Sequence, residues 1–159
     1  MKIVLAIDGS KYSKVAVSEL GAMSLPNETE VCIIHVYEHP TIVGPEPLPM
    51  GGVLGVYYEE IMSNTKKSAE EIVSNASKSL MDLNTKISIT TSIVGGSPKS
   101  EILEKAESFG ADLIVVGSQG HGAFSRFLLG SVSQSIVTHS NCSVLIARKK
   151  DKESVVRED

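Results

Sequence analysis

Uninterrupted aliphatic runs alternate along this chain with stretches whose apolar residues recur every three or four positions. Lys2 to Asp8 is the first run, the mark of a strand covered on both faces. Ser10 can cap the helix that follows, in which Tyr12, Ala16, Leu20 and Met23 recur at helical spacing until Pro26-Asn27 breaks the chain. Glu30 to Tyr37, with Val31-Cys32-Ile33-Ile34-His35-Val36 at its centre, predicts a second buried strand. A long amphipathic helix is predicted from about Tyr58 to Leu83, with Ile61, Met62, Thr65, Ala69, Ile72, Ala76, Leu80 and Leu83 on its apolar stripe. Lys86 to Val94 alternates Ile87, Ile89 and Thr91 with polar residues and predicts a less deeply buried strand. Gly95-Gly96-Ser97-Pro98 then leads into a helix, with Ser97 at the N-cap, Pro98 at the first helical position, Ile102, Leu103, Ala106 and Phe109 facing the core, and Gly110 ending it. Asp112 to Val116 is another buried strand. A glycine-bearing loop, a helix near 131–140 and a last strand, Ser143 to Arg148, complete the order.

Strands alternating with helices imply a parallel sheet with helices on both faces. In such a sheet the ligand sits beyond the carboxyl ends of the strands, where strand order reverses. That rule selects Asp8, Val36 to His39, and Gly117 onward. One connection is too long for this scheme. His39 to Val56 holds Pro40, Pro45, Pro47 and Pro49 with several glycines, and a structureless loop of that length is often a lid or binding loop. It reads equally well as a variable surface insertion or as an arm touching a second copy.

Composition narrows the function classes. A chain of 159 residues with 42% hydrophobic content is long enough to bury a core as one domain without staples. A formal charge of −4 gives no electrostatic footprint for nucleic acid, although a local loop can still bind a small anion. The apolar run after Met1-Lys2 is too short for a signal peptide, and no run approaches a membrane span, so a cytoplasmic protein is expected. Cys32 and Cys142 sit in apolar segments and read as small buried hydrophobes, with no second ligand at metal spacing. The tail, 149–159, is mostly charged and is predicted to be disordered.

The candidate chemistry centres on Gly117-Ser118-Gln119-Gly120 and, further on, Gly130-Ser131. A loop that leaves a strand and returns to a helix start can bind an anion, because glycines let backbone approach the ligand and helix starts present unpaired N–H groups. Gly117 suits a turn at the strand end, Gly120 and Gly122 can lay bare N–H groups along a phosphate, and Ser131 and Ser133 add hydroxyls. The same residues also suit ordinary turns and a helix cap. Asp8 reads either as an Asx turn beside Gly9-Ser10 or as an acceptor for a ligand hydroxyl or amine, or a metal contact. His35, His39, His121 and His139 form no metal or triad pattern; His121 and Arg126 lie in the loop, within reach of phosphate or simply solvated. No Gly-x-Ser-x-Gly elbow, no P-loop lysine and no Gly-x-Gly-x-x-Gly after the first strand is present.

Gly117-x-x-Gly120, nine residues, then Gly130-Ser131 resembles the ATP-binding motif of the universal stress protein family. Lys2 to Ser10, Ile33 to Val36, Ala111 to Ser118 and Ser143 to Arg148 are similar to its first, second, fourth and last strands. The resemblance spans nearly the whole chain. It implies a single domain over 1–148, a Rossmann-like fold of the adenine nucleotide alpha hydrolase-like type, with a five-stranded parallel sheet of order 3-2-1-4-5. The reversal would fall between the first and fourth strands and bring Asp8 beside Gly117. In ATP-binding members the position of Asp8 contacts the nucleoside end, that of Val36 gives backbone contacts to adenine, and those of Gly120 and Gly130-Ser131-Val132-Ser133 hold phosphates. Ala6, Ile7 and Val116 complete the implied cofactor-binding set, with no catalytic residue and no protein ligand to metal. The implied cofactor is ATP or AMP with Mg²⁺, and cyclic AMP is not separated from them. The family usually pairs through its last strand, and here Val144-Leu145-Ile146-Ala147 carries no blocking charge or proline, so a homodimer is expected. The leading reading is an ATP-binding regulatory or stress-resistance module with weak ATPase activity at most. The alternatives are a slow ATP hydrolase or phosphotransferase using Asp8 or His121, and a nucleotide-free dimeric interaction module.

Overall fold

A computed structural model describes residues 1–38, 53–122 and 128–148, with backbone alone for 53–57. The order is β1 (Lys2–Ile7), α1 (Lys11–Ala22), β2 (Thr29–Tyr37), α2 (Val53–Leu83), β3 (Ile87–Gly95), α3 (Pro98–Phe109), β4 (Leu113–Gly117), α4 (Ser131–His139) and β5 (Ser143–Ala147). The strands form one sheet of order β3-β2-β1-β4-β5, and every neighbouring pair is parallel. This is the predicted fold.

Period-two alternation explains why the central strands read as unbroken aliphatic runs. Ile3, Leu5, Ile7, Val31, Ile33 and Val115 point to one face, where they pack with Ala16, Val17 and Leu20 of α1 and Val73 and Leu80 of α2. Val4, Ala6, Cys32, Ile34, Ile114 and Val116 point to the other, against Ile102 and Ala106 of α3 and Ile136 of α4. Neither face meets water, so a polar residue on either would lose its solvation. On β3, at the sheet edge, no residue is fully buried, in keeping with its alternating sequence.

Several local expectations shift. α1 buries Ser13, Ala16, Val17 and Leu20, not Tyr12. Tyr12 is half-buried, with the Lys11 ammonium 5.0 Å from its ring centre. α2 starts at Val53, so the end of the expected irregular connection is helical. Val53, Tyr57, Ile61, Thr65 and Ala69 continue the four-residue spacing backwards, a pattern obscured by Gly55, a poor helix former. Leu83 at the other end is 53% exposed and leaves the stripe, while Val73, not among the expected stripe residues, is buried. The loop residues 39–52 and 123–127, with His39 and Arg126, and the tail 149–159 lie outside the described residues.

The caps follow the sequence closely. The Ser10 hydroxyl accepts the Ser13 N–H at 3.2 Å. Pro98 opens α3, although Ser97 caps it by position only, without a side-chain bond. Gly110 ends α3 in the left-handed conformation at φ 67°, where a Cβ would be strained. Among the described residues, no helix is long and apolar enough to cross a membrane.

Candidate functional site

The strand order reverses between β1 and β4, which run parallel with a shared register from Ile3↔Leu113 to Ala6↔Val116. Just beyond those strand ends the chains part, α1 leaving on one face and the glycine loop on the other. A cleft of about 690 Å³ opens there. Its walls include Ala6, Ile7, Asp8, Val36, Val116, Gly117, Gly120, Gly130, Ser131, Val132 and Ser133. All the residues selected for the cofactor thus line one cavity, although they come from separate parts of the chain. The volume lies within the ordinary range of small-molecule sites.

The glycines act mainly by letting backbones touch. A Cβ on Gly117 would stand 2.8 Å from the carbonyl carbon of Tyr12 and 3.0 Å from the Ser13 nitrogen. Gly117 is therefore the last residue of β4, pressed against the start of α1, and not a turn residue as expected. A Cβ on Gly120 would stand 2.8 Å from Asp8 Oδ2. The Asp8 carboxylate therefore faces Gly120 more closely than it faces Gly117. Its other oxygen, Oδ1, accepts the Ser10 N–H at 2.9 Å, the expected Asx turn.

The far wall is the start of α4. Gly130 is its N-cap, and Ser131 is its first helical residue instead of the cap the sequence suggested. The Gly130 N–H already donates to the Ser118 carbonyl at 2.8 Å. The first bond inside the helix runs from the Gln134 N–H to the Gly130 carbonyl. The amides of Ser131, Val132 and Ser133 precede that bond and so carry the positive end of the helix dipole. The Ser133 hydroxyl is buried and donates to the Gly117 carbonyl at 2.8 Å. That proton is committed to fixing the loop, so Ser133 can offer a ligand its amide.

Further residues of the cleft are given no role by the sequence. Gln119 is buried, and its Nε2 donates to the Leu128 carbonyl at 2.8 Å, bridging the two ends of the glycine loop. Glu38 at the end of β2, Ser13 of α1, and Pro98 and Ile102 of α3 also line the cavity. Gln119 and Glu38 fall within the stretches selected past the strand ends, although no spacing gives them a role; Ser13, Pro98 and Ile102 are not singled out for the site by the sequence. His121 lines the cleft too, and its Nε2 donates to the Asp8 carbonyl at 2.9 Å. His35, which matched no pattern, is buried, and its Nδ1 donates to the Ile7 carbonyl at 2.9 Å. Among the described residues no three His, Cys, Asp or Glu side chains come together as a metal centre. Cys32 is buried and Cys142 half-buried, both as free thiols; burial first, then the nearby Asp112 charge, pushes the Cys142 thiol above its usual range.

Fold and cleft together define a doubly wound α/β protein with a glycine-walled cavity at its point of strand reversal. The model of the universal stress protein family matches residues 1–148, and the chain belongs to that family. A putative universal stress protein of Staphylococcus aureus (strain USA300) is 32% identical over 150 residues, 94% of this chain and 84% of the relative. The solved structure of hypothetical protein MJ0577 is 26% identical, covers 95% of this chain and 97% of its own, and superposes with a TM-score of 0.77. A universal stress protein solved in complex with cAMP is 24% identical, with coverage of 93% and 96% and a TM-score of 0.63.

Proposed function

We propose that this protein binds ATP in the cleft at the β1–β4 reversal and acts as a nucleotide-responsive regulatory or stress-resistance module. The observation that carries the reading is the convergence of Asp8, Val36, Gly120 and the free amides at the start of α4 on one cavity. The cavity is apolar toward Ala6, Ile34, Val36 and Ile102, where a base would lie, and lined by backbone toward Gly120, Gly130 and Ser131, where phosphates would lie. A Cβ on Gly120 or Gly130 would intrude, at 2.8 Å from Asp8 Oδ2 and 3.2 Å from Gln119 Cα respectively. That fits a site meant to bring backbone against an anion. The cAMP complex of a related fold supports an adenine nucleotide as ligand.

Mg²⁺ would travel with the phosphates, since it is commonly held through substrate phosphates and water and supplies charge neutralisation. Among the described residues, one Asp8 oxygen already accepts the Ser10 N–H, and His121 donates to the Asp8 carbonyl. This favours holding ATP over hydrolysing it. The protein would work in the cytoplasm as a homodimer joined through β5, the edge strand whose Val144, Leu145 and Ile146 are only half-buried.

Protein purified without added nucleotide, then heat-denatured, is expected to release adenine nucleotide or to bind ATP on titration, while Gly130→Asp binds far less. Equal binding by the two proteins would sink the loop assignment.

A further inference from the structure

The loop after β4 is fastened at several points. Ser133 Oγ donates to the Gly117 carbonyl, the Gly130 N–H to the Ser118 carbonyl, and Gln119 Nε2 to the Leu128 carbonyl. Each of these ties the loop to itself or to α4. His121 makes a different connection, crossing to the Asp8 carbonyl at the end of β1 at 2.9 Å. A carbonyl can only accept, so Nε2 must carry the proton and the imidazole is the donor.

We infer that His121 is a positioning residue, a latch that sets the spacing between the two halves of the cleft. This rests on the nucleotide reading above. Asp8 belongs to the half assigned to the nucleoside, and Gly120 to the half assigned to phosphate. The latch spans the place where the Asp8 carboxylate already faces Gly120 across a gap that has no room for a Cβ. Among the described residues, no other side-chain bond ties Gly120–Gly122 to the end of β1, and the two glycines that flank His121 have no side chains to pack there. Without the latch, the ligand would have to order the loop as it binds, which lowers affinity.

An exposed hydrogen bond of ordinary net strength shifts an equilibrium by a factor of about 2 to 10. The test compares His121→Ala with His121→Gln in the full chain, because a glutamine amide can donate to the same carbonyl from nearly the same point. His121→Ala is expected to weaken ATP binding about 3- to 10-fold, and His121→Gln to return it to within about 2-fold of the wild type. In the nucleotide-free protein, amide hydrogen exchange at Gly120 and Gly122 should speed up in His121→Ala and recover in His121→Gln, with the β1 and β4 amides unchanged. Wild-type exchange at Gly120 and Gly122 in the alanine variant would overturn the latch whether or not nucleotide binds. So would a glutamine variant that behaves like alanine in both measurements. Unaltered exchange behaviour of the latch in a wild type that binds no ATP would instead separate the two claims, removing the nucleotide reading and leaving the latch standing.

Discussion

Ser131→Asp should move stability and ligand binding in opposite directions. Ser131 is exposed and is the first residue of α4, so a carboxylate there meets the positive end of the helix dipole without disturbing packing. That placement favours the folded state by about 0.3–1 kcal/mol at low salt. The same charge stands at the mouth of the cleft, beside the amides of Ser131, Val132 and Ser133 that are assigned to phosphate. Two like unit charges 4 Å apart repel by about 1 kcal/mol in water and by more where water is excluded. A magnesium–ATP complex keeps more than one negative charge, so the combined cost is about 1–3 kcal/mol, or a 5- to 150-fold rise in Kd.

Thermal unfolding and calorimetric ATP titration of the wild type, Ser131→Asp and Ser131→Ala check this. The alanine variant loses only a hydroxyl and should stay within about 5-fold of the wild type in affinity. Higher salt should narrow the gap between aspartate and alanine, because screening acts on the charged variant. An aspartate variant that is as stable as or more stable than the wild type and binds ATP equally well would refute the phosphate assignment. A clearly destabilised one would refute the placement of free amides at this helix start.

Gly117→Ala should lower stability by about 1–3 kcal/mol through overpacking against the Tyr12–Ser13 backbone, visible as a lower Tm. Gly122→Ala, whose added Cβ would meet nothing within 4 Å among the described residues, should leave Tm within experimental error. Cys142 has a raised thiol pKa, so it ionises at higher pH than a free cysteine; iodoacetamide should label it more slowly than a model thiol near neutral pH, with the rate climbing only under alkaline conditions. Any stability linked to that shift is fully present below the ordinary thiol pKa and fades as pH rises through the raised one, so acid and neutral unfolding curves should be insensitive to Cys142→Ser ionisation effects. Sedimentation equilibrium at micromolar concentration should give twice the chain mass, and a monomer there would remove the proposed β5 pairing.

The strands were legible because burial on both faces leaves little freedom in residue type. Ile3 to Ile7 and Leu113 to Val116 could hardly be anything but aliphatic where the structure puts them. Helix faces were less legible, since a stripe drifts around a helix and one wrong starting residue moves it. Choosing Tyr12 as a core residue passed over Ser13 and Val17, because a buried serine capping its own turn looks polar in sequence. The cleft was legible in its glycines and in Asp8, which sit at strand ends by rule. Gln119 and Glu38 lie inside the selected stretches, but their roles depend on which carbonyl or cavity they reach, and one-dimensional spacing holds no such information.

The bonding of Ser133 and Asp8 also decides how the cleft can act. Each has a conspicuous polar group that a sequence reading would assign to the ligand. In the fold, the Ser133 proton goes to Gly117 and one Asp8 oxygen to the Ser10 N–H. Asp8 Oδ2 and the backbone amides at the start of α4 keep capacity for a ligand, and both are fixed before it arrives. A site whose free groups are an oriented carboxylate and oriented amides is preorganised for recognition, since little reorganisation is needed on binding. Turnover would additionally need a base or cation free to move charge in the transition state; among the described residues, His121 is bonded to the Asp8 carbonyl and one Asp8 oxygen to the Ser10 N–H. On the proposed nucleotide reading, the same hydrogen bonds that shape the cleft favour an output of occupancy, with ATP read by whether it is bound.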